Sequence, residues 1–257
     1  MPMLEIFPIP AFRDNYFWLL QRGKHAAVVD PGDATPVIRV LENHGLILDT
    51  ILITHHHSDH IGGVPELLNL YQSKIYAPLK EHYNFAHQAV KEGDAIHLET
   101  LDLQLSILEL PGHTLGHVAY YGANSLFCGD TLFGCGCGRL FEGTHQQLFA
   151  SLQKLAKLPS ETAVYCAHEY TEHNIRFART VDPQNAALAS RQKDAARLRE
   201  ADKPTLPSTI GLELETNPFL RCDTASIKAA AGLYETSLSQ IEPEQVFGTI
   251  RAMRNHF

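Results

Sequence analysis

The segment His55-His56-His57-Ser58-Asp59-His60 gathers four imidazoles and a carboxylate within six residues. It follows directly on the apolar run 50–54, so the chain enters it extended. Alternate side chains of an extended segment share a face, which lets His55 and His57 point together while His56 points away. Asp59 and His60 come next, through a turn leading to Gly62-Gly63 and a helix start. Three imidazoles and a carboxylate offered to one small volume suit a borderline metal such as zinc better than calcium or magnesium. A chance His-rich patch is the plainer alternative, and an artificial tag would not sit in mid-chain.

Three further candidates stand where apolar runs end: His113 in Pro111-Gly112-His113, Asp130 in Cys128-Gly129-Asp130, and His168 in Cys166-Ala167-His168. Strand ends converge on one edge of a sheet, where sites are usually built. Alone, each is weak, because a single His after a strand is more often a satisfied polar residue than a ligand. Beside the first motif the balance reverses. The combined donors exceed the four closed ligands of a structural zinc and suffice for two ions with open positions. Two such ions share a water, lower its pKa to about 7 and polarise a carbonyl, so hydroxide attack becomes available at neutral pH. A nucleophilic side chain is then unnecessary, and no Gly-x-Ser-x-Gly elbow occurs.

Cys128, Cys135, Cys137, Cys166 and Cys222 are odd in number and lack paired spacing, which fits reduced packing residues in a cytoplasmic protein. Cys135-Gly136-Cys137 offers two thiolates, an incomplete metal site.

Positioning these residues requires particular elements. Short β-rich runs cover 16–20, 26–30, 50–54, 74–77, 101–107, 118–121, 125–128 and 163–167, with strict period-two alternation in 101–107. Helical patterns lie at 36–43, 64–71 and 146–158. Strands in runs with helices outside predict an α+β domain of two sheets packed face to face. After about residue 173 the strand patterns stop, and helices are expected at 174–180, 184–201, 224–235 and 243–255. The expected organisation is a catalytic domain over 1–173 and a helical domain over 174–257, with the Pro-punctuated stretch 203–221 read as a surface loop.

Composition sets outer limits. With 257 residues, 44% hydrophobic and 19% charged, the chain can bury a full core. A formal charge of −8 provides no broad basic field for a nucleic acid. Neither a signal peptide nor an apolar run long enough to span a membrane is visible, so no membrane partner is expected.

The order His-x-His-x-Asp-His, then His, Asp and His, resembles the signature of the metallo-β-lactamase superfamily. That likeness implies a four-layer αββα sandwich. It further implies that one ion is held by His55, His57 and His113 and the other by Asp59, His60 and His168. Asp130 would bridge them, with Asp59 and Asp130 also in catalytic roles and His56 and His117 outside the ligand set. The resemblance extends to the glyoxalase II (hydroxyacylglutathione hydrolase) family through the segment Gly134 to Thr144, His168-Glu169-Tyr170-Thr171, Asn217-Pro218-Phe219-Leu220-Arg221 and the closing Arg251-Ala252-Met253-Arg254.

That family likeness implies hydrolysis of S-D-lactoylglutathione and other S-2-hydroxyacylglutathiones to D-lactate and glutathione, the second step of methylglyoxal detoxification. Two divalent ions per chain are expected, zinc first, with iron or manganese accommodated by the same ligands. The partner is a small molecule and the chain is expected to be a monomer. Arg139, Tyr170 and Arg254 would contact the tripeptide, whose carboxylates suit arginine. Two departures stand out: Phe141 replaces a tyrosine common in relatives, and Asn255-His256-Phe257 replaces a second terminal basic residue, leaving Arg254 with help from His256. A persulfide dioxygenase of the same superfamily is the alternative, disfavoured because Asp59, His60 and His168 are all retained. An RNA-processing nuclease is disfavoured by the acidic composition, and a non-catalytic binding module by the complete ligand set.

Overall fold

Two prolines decide where the first strand can lie. Pro8 and Pro10 have no N–H to donate to a ladder, and the strand that carries them, β1 (Glu5–Ala11), is an edge strand paired with β2 (Asn15–Arg22) alone. The strands expected from the sequence begin only at residue 16, so β1 lies outside them. The computed structural model describes residues 2–232 and 242–257, and the chain divides into two compact units.

The first unit spans Met1–Glu109 and Leu115–Gly129. Its first sheet runs in the order β1, β2, β3 (His25–Val29), β4 (Ile47–Leu52), β5 (Lys74–Pro78), β6 (Gln88–Val90). It is antiparallel up to β3 and parallel from β3 to β6. Parallel neighbours need crossovers, and helices supply two of them. Helix α1 (Ala34–His44) joins β3 to β4, capped by Asp33 and stopped at the left-handed Gly45; α2 (Ser58–Ile61) and α3 (Val64–Leu70) lie between β4 and β5.

An antiparallel meander follows: β7 (Ala95–Leu98), β8 (Leu103–Glu109), β9 (Val118–Gly122) and β10 (Ser125–Gly129). The strand expected from residue 101 begins at Leu103. Residues Glu99–Leu101 form a 3-10 turn, and Asp102 is left-handed with φ 43°, a break that side-chain alternation cannot reveal. From Leu103 onward alternate residues are buried, as the pattern predicts. Fully buried Tyr120 on β9 has its hydroxyl at 2.8 Å from the carbonyl of Ile53 and 3.0 Å from that of Tyr76, tying this meander to the residue after β4 and to the middle of β5.

The second unit comprises Leu110–Thr114 and Asp130–Phe257. A small hairpin, β11 (Leu132–Phe133) with β12 (Gly136–Cys137), precedes α4 (His145–Leu155), which opens with a reciprocal Thr144/Gln147 capping box. Strand β13 (Ala163–Cys166) pairs with β14 (Ser208–Thr209). Among the described residues, further helices are α5 (Thr171–Val181), α6 (Ala186–Glu200), α7 (Ile210–Thr216), α8 (Ala225–Ala230) and α9 (Pro243–Asn255).

The expected loop 203–221 therefore needs correction, since it contains β14, α7 and a 3-10 turn at Pro218–Leu220. Its prolines flank these short elements rather than interrupt them, and Thr209 caps α7 by accepting from Leu212 N. Of the expected helix 224–235, residues 233–235 lie outside the described residues.

Candidate metal centre

In the first unit, β4 delivers the chain to His55 and the one-turn helix α2 turns it back at His60. His55 Nε2 lies 3.0 Å from His57 Nδ1, and His60 Nε2 lies 3.5 Å from Asp59 Oδ2. His55 and His60 are buried, while His57 and Asp59 are partly open. His117 stacks on His55, with ring centroids 4.9 Å apart, and His56 turns to Glu81 at 3.2 Å.

Asp30 is the residue that the sequence did not single out. It directly follows β3 at φ 52°, an uncommon conformation for a residue with a side chain. Its carboxylate accepts from Thr54 N and Thr54 Oγ1, both at 2.7 Å, and from His60 Nδ1 at 3.0 Å. A carboxylate only accepts, so Nδ1 carries the proton and Nε2 of His60 keeps its lone pair. Asn15 does similar service by donating to Asp59 Oδ2 at 3.1 Å. The following loop can close because residue 32 is glycine: a Cβ there would stand 1.9 Å from Asp59 O.

In the second unit, Asp130 follows β10 directly and lies between two histidines. Its Oδ2 is 3.4 Å from His113 Nε2 and its Oδ1 is 3.3 Å from His168 Nε2. All three are buried. His113 Nδ1 donates to Arg139 O at 2.9 Å, which again leaves Nε2 with the lone pair. Gly138 permits this loop, since a Cβ would fall 2.0 Å from Asp130 O.

The His–Asp separations of 3.3 to 3.5 Å exceed ordinary hydrogen-bond lengths of about 2.7–3.2 Å. They match the roughly 3.3–3.6 Å expected between two N or O donors about 2.0–2.2 Å from one tetrahedral ion. Within each unit the expected ligands stand together: His55, His57, Asp59 and His60 in the first, and His113, Asp130 and His168 in the second. Buried lone-pair nitrogens facing carboxylate oxygens at that spacing fit divalent metal ions.

The second unit also concentrates positive charge. Arg254, on α9, has its pKa lowered by burial and by the nearby Arg251, Arg139 and Arg176. Its Nη2 donates to Asn174 Oδ1 at 3.2 Å, and the guanidinium lies 5.8 Å from the ring centres of Phe177 and Phe257. Arg251 donates to the carbonyl of Cys137 at 3.0 Å. Arg139 is exposed, and Tyr170 stacks on His168 at 4.7 Å and 5°. Phe141, 65% exposed, stands edge-on to His113.

The description "Metallo-beta-lactamase superfamily" matches residues 11–168, and "Hydroxyacylglutathione hydrolase C-terminus" matches 169–257. A hydroxyacylglutathione hydrolase from Methylobacillus flagellatus is 54% identical over 255 residues, covering 99% of this chain and 100% of its own. The chain belongs to the hydroxyacylglutathione hydrolase family. Its fold is accordingly the metallo-β-lactamase fold expected from the sequence, α+β with a C-terminal helical region.

Solved structures agree with that assignment. BLEG-1 B3 metallo-beta-lactamase is 26% identical, with a TM-score of 0.63, over 85% of this chain and 99% of its own. TTHA1623, in a di-iron-bound form, is 27% identical, with a TM-score of 0.61, over 83% and 100%. Members of the hydroxyacylglutathione hydrolase family thus share with these proteins a scaffold for divalent metal ions.

Proposed function

We propose that this protein hydrolyses S-D-lactoylglutathione and related S-2-hydroxyacylglutathiones to the hydroxy acid and glutathione, the second step of methylglyoxal detoxification. One observation carries the two-ion reading: Asp130 offers one carboxylate oxygen towards His113 and the other towards His168. A carboxylate so disposed is suited to bridge. His55, His57 and His113 would hold one ion, and Asp59, His60 and His168 the other, zinc in the first instance, with iron or manganese as substitutes. When bound, the ions supply an activated water and polarise the thioester carbonyl.

The protein's own residues do the rest. Asp30 and the Arg139 carbonyl fix two imidazole tautomers, and Asn15 orients Asp59, which with Asp130 forms the carboxylate part of the catalytic machinery. Arg139, Tyr170 and Arg254 hold the tripeptide, drawing its carboxylates to the cationic face. The leaving thiol, of pKa roughly 8.5, departs as thiolate and requires no dedicated acid.

The reading includes a catalytic domain over 1–173 and a substrate-binding helical domain over 174–257, acting as a monomer in the cytoplasm. The family descriptions divide at residues 168 and 169, close to that boundary. Five buried free cysteines suit a reducing compartment, and no helix among the described residues is long and apolar enough to cross a membrane. The test is elemental analysis of the active protein alongside assay of S-D-lactoylglutathione. About two ions per chain and chelator-sensitive release of glutathione are expected; one ion in fully active protein would overturn the binuclear centre.

A further inference from the structure

Arg254 is held in an unusual way for a cation so placed. Burial and three neighbouring guanidiniums all disfavour its charge, yet no carboxylate pairs with it among the described residues. Its polar contact is a neutral amide, Asn174 Oδ1, at 3.2 Å. Asn174 itself is 5% exposed and fixed at its other end, where Nδ2 donates to Gly134 O at 3.0 Å. The fit leaves no slack: a Cβ at Gly136 would stand 2.3 Å from Asn174 Nδ2. One side chain thus ties the loop that leads to Arg139 to the last turn of α9.

We infer that Asn174 is a positioning residue for glutathione recognition: it aims Arg254 against the repulsion of its cationic neighbours while leaving the positive charge free for a substrate carboxylate. This rests on the proposed thioester hydrolase activity. The physical point is the neutrality of the acceptor. An aspartate would keep an acceptor for the guanidinium but would neutralise it and give up the Nδ2 donor to Gly134 O, and a charge-assisted pair within the protein would compete with the substrate. An apolar residue would leave the guanidinium to swing away from Arg139 and Arg251. The carbonyl of Asn174 orients without competing.

Wild type, Asn174→Ala, Asn174→Asp, Arg254→Ala and the double variant Asn174→Ala/Arg254→Ala are compared in zinc-loaded protein. KM and kcat are measured for S-D-lactoylglutathione and for a small thioester lacking the tripeptide. Asn174→Ala is expected to raise KM for the glutathione thioester about tenfold, equivalent to 1.4 kcal/mol, with kcat nearly constant. Asn174→Asp, almost isosteric, is expected to raise KM as well, despite keeping an acceptor. In the Arg254→Ala background, Asn174→Ala should add nothing further to KM, because its only route to the substrate has gone.

Independent, multiplying effects of the two substitutions would overturn the inference, as would KM within twofold of wild type in Asn174→Ala or Asn174→Asp. A general structural defect would lower activity on the small thioester too, and that outcome also counts against positioning. If Asn174→Ala does not fold, the isosteric Asn174→Asp decides the matter by the same KM criterion. Failure of the underlying activity is separately visible, since wild type would then release no glutathione at all.

Discussion

Two buried polar clusters in this molecule differ in how closely their groups approach one another. Around Asp130 the neighbouring His113 and His168 present nitrogens at 3.3 to 3.4 Å, beyond good hydrogen-bond length. Around Glu213, by contrast, every contact is close. Its Oε1 accepts from Arg191 Nη2 and Ser208 Oγ, both at 2.5 Å, and its Oε2 accepts from Cys135 N at 2.8 Å and Asn217 Nδ2 at 3.0 Å. Burial works against the Arg191 cation, but the Glu213 carboxylate more than offsets it, and the Arg191 pKa is raised. The closed cluster is knit by short hydrogen bonds and serves the fold, whereas the open cluster keeps its donors at a spacing that suits ions. A buried polar network is thus read by the spacing of its groups rather than by its composition.

Emptying the open cluster should have the largest effect. Asp130→Ala removes the group that faces both His113 and His168, and metal content should fall below one ion per chain. Loss of metal-derived stabilisation worth several kcal/mol corresponds to a fall in kcat of about a thousandfold or more. The melting temperature in the presence of chelator should change little. Elemental analysis and a chelator-matched melt check both, and a variant retaining two ions would break the comparison.

Opening the closed cluster should do the reverse. Glu213→Ala strands the buried Arg191 charge, so the protein should lose about 3–5 kcal/mol of stability, measured by denaturant unfolding. The fraction that stays folded should keep its metal. If unfolding free energy changed little while the ions were lost, the division between structural and chemical clusters would fail.

Between these extremes lies the cationic face. Arg254→Ala should raise KM for the glutathione thioester roughly ten- to hundredfold, the range set by one charged hydrogen bond of about 1.5–3 kcal/mol. Its kcat should stay nearly unchanged, because the tripeptide carboxylates remain charged throughout the reaction and the contact is uniform. A steady-state comparison with a thioester lacking the tripeptide measures the split. Equal losses on both substrates would move Arg254 from binding to chemistry or fold.

The same contrast explains what could be read from sequence. Four of the donors stand in His55 to His60, where local spacing alone sets their mutual geometry, and that motif was legible at once. His113, Asp130 and His168 are legible only as residues at the ends of apolar runs, in the order of types that the family resemblance supplies. Asp30 was not, because its partners Thr54 and His60 are 24 and 30 residues away and no local spacing announces them. The Arg191–Glu213 pair, separated by 22 residues, was hidden for the same reason, and its helix α7 was lost among prolines that merely flank it. Strand β1 was missed because edge position, which makes Pro8 and Pro10 tolerable, is a property of the sheet rather than of the segment.

The smallest effect is expected from the thiols, which belong to neither cluster's chemistry. Cys166 is fully buried, and burial pushes its thiol up from 9.0 to about 12, so no thiolate nucleophile is present at neutral pH. Cys166→Ala should therefore change kcat/KM less than tenfold, under about 1.4 kcal/mol of barrier. Its raised pKa does have a consequence for stability. Below pH 9 the thiol is protonated in both folded and unfolded chains, and its contribution is fully present. Between about 9 and 12 the unfolded chain releases the proton while the folded one retains it, so stability falls as pH rises through that window. Cys166→Ala should flatten this alkaline loss, read as a smaller drop in denaturation midpoint between pH 8 and pH 10 than in wild type. Trapping an acyl-Cys166 intermediate would contradict the assignment, and an unchanged alkaline slope would show that another group carries the titration.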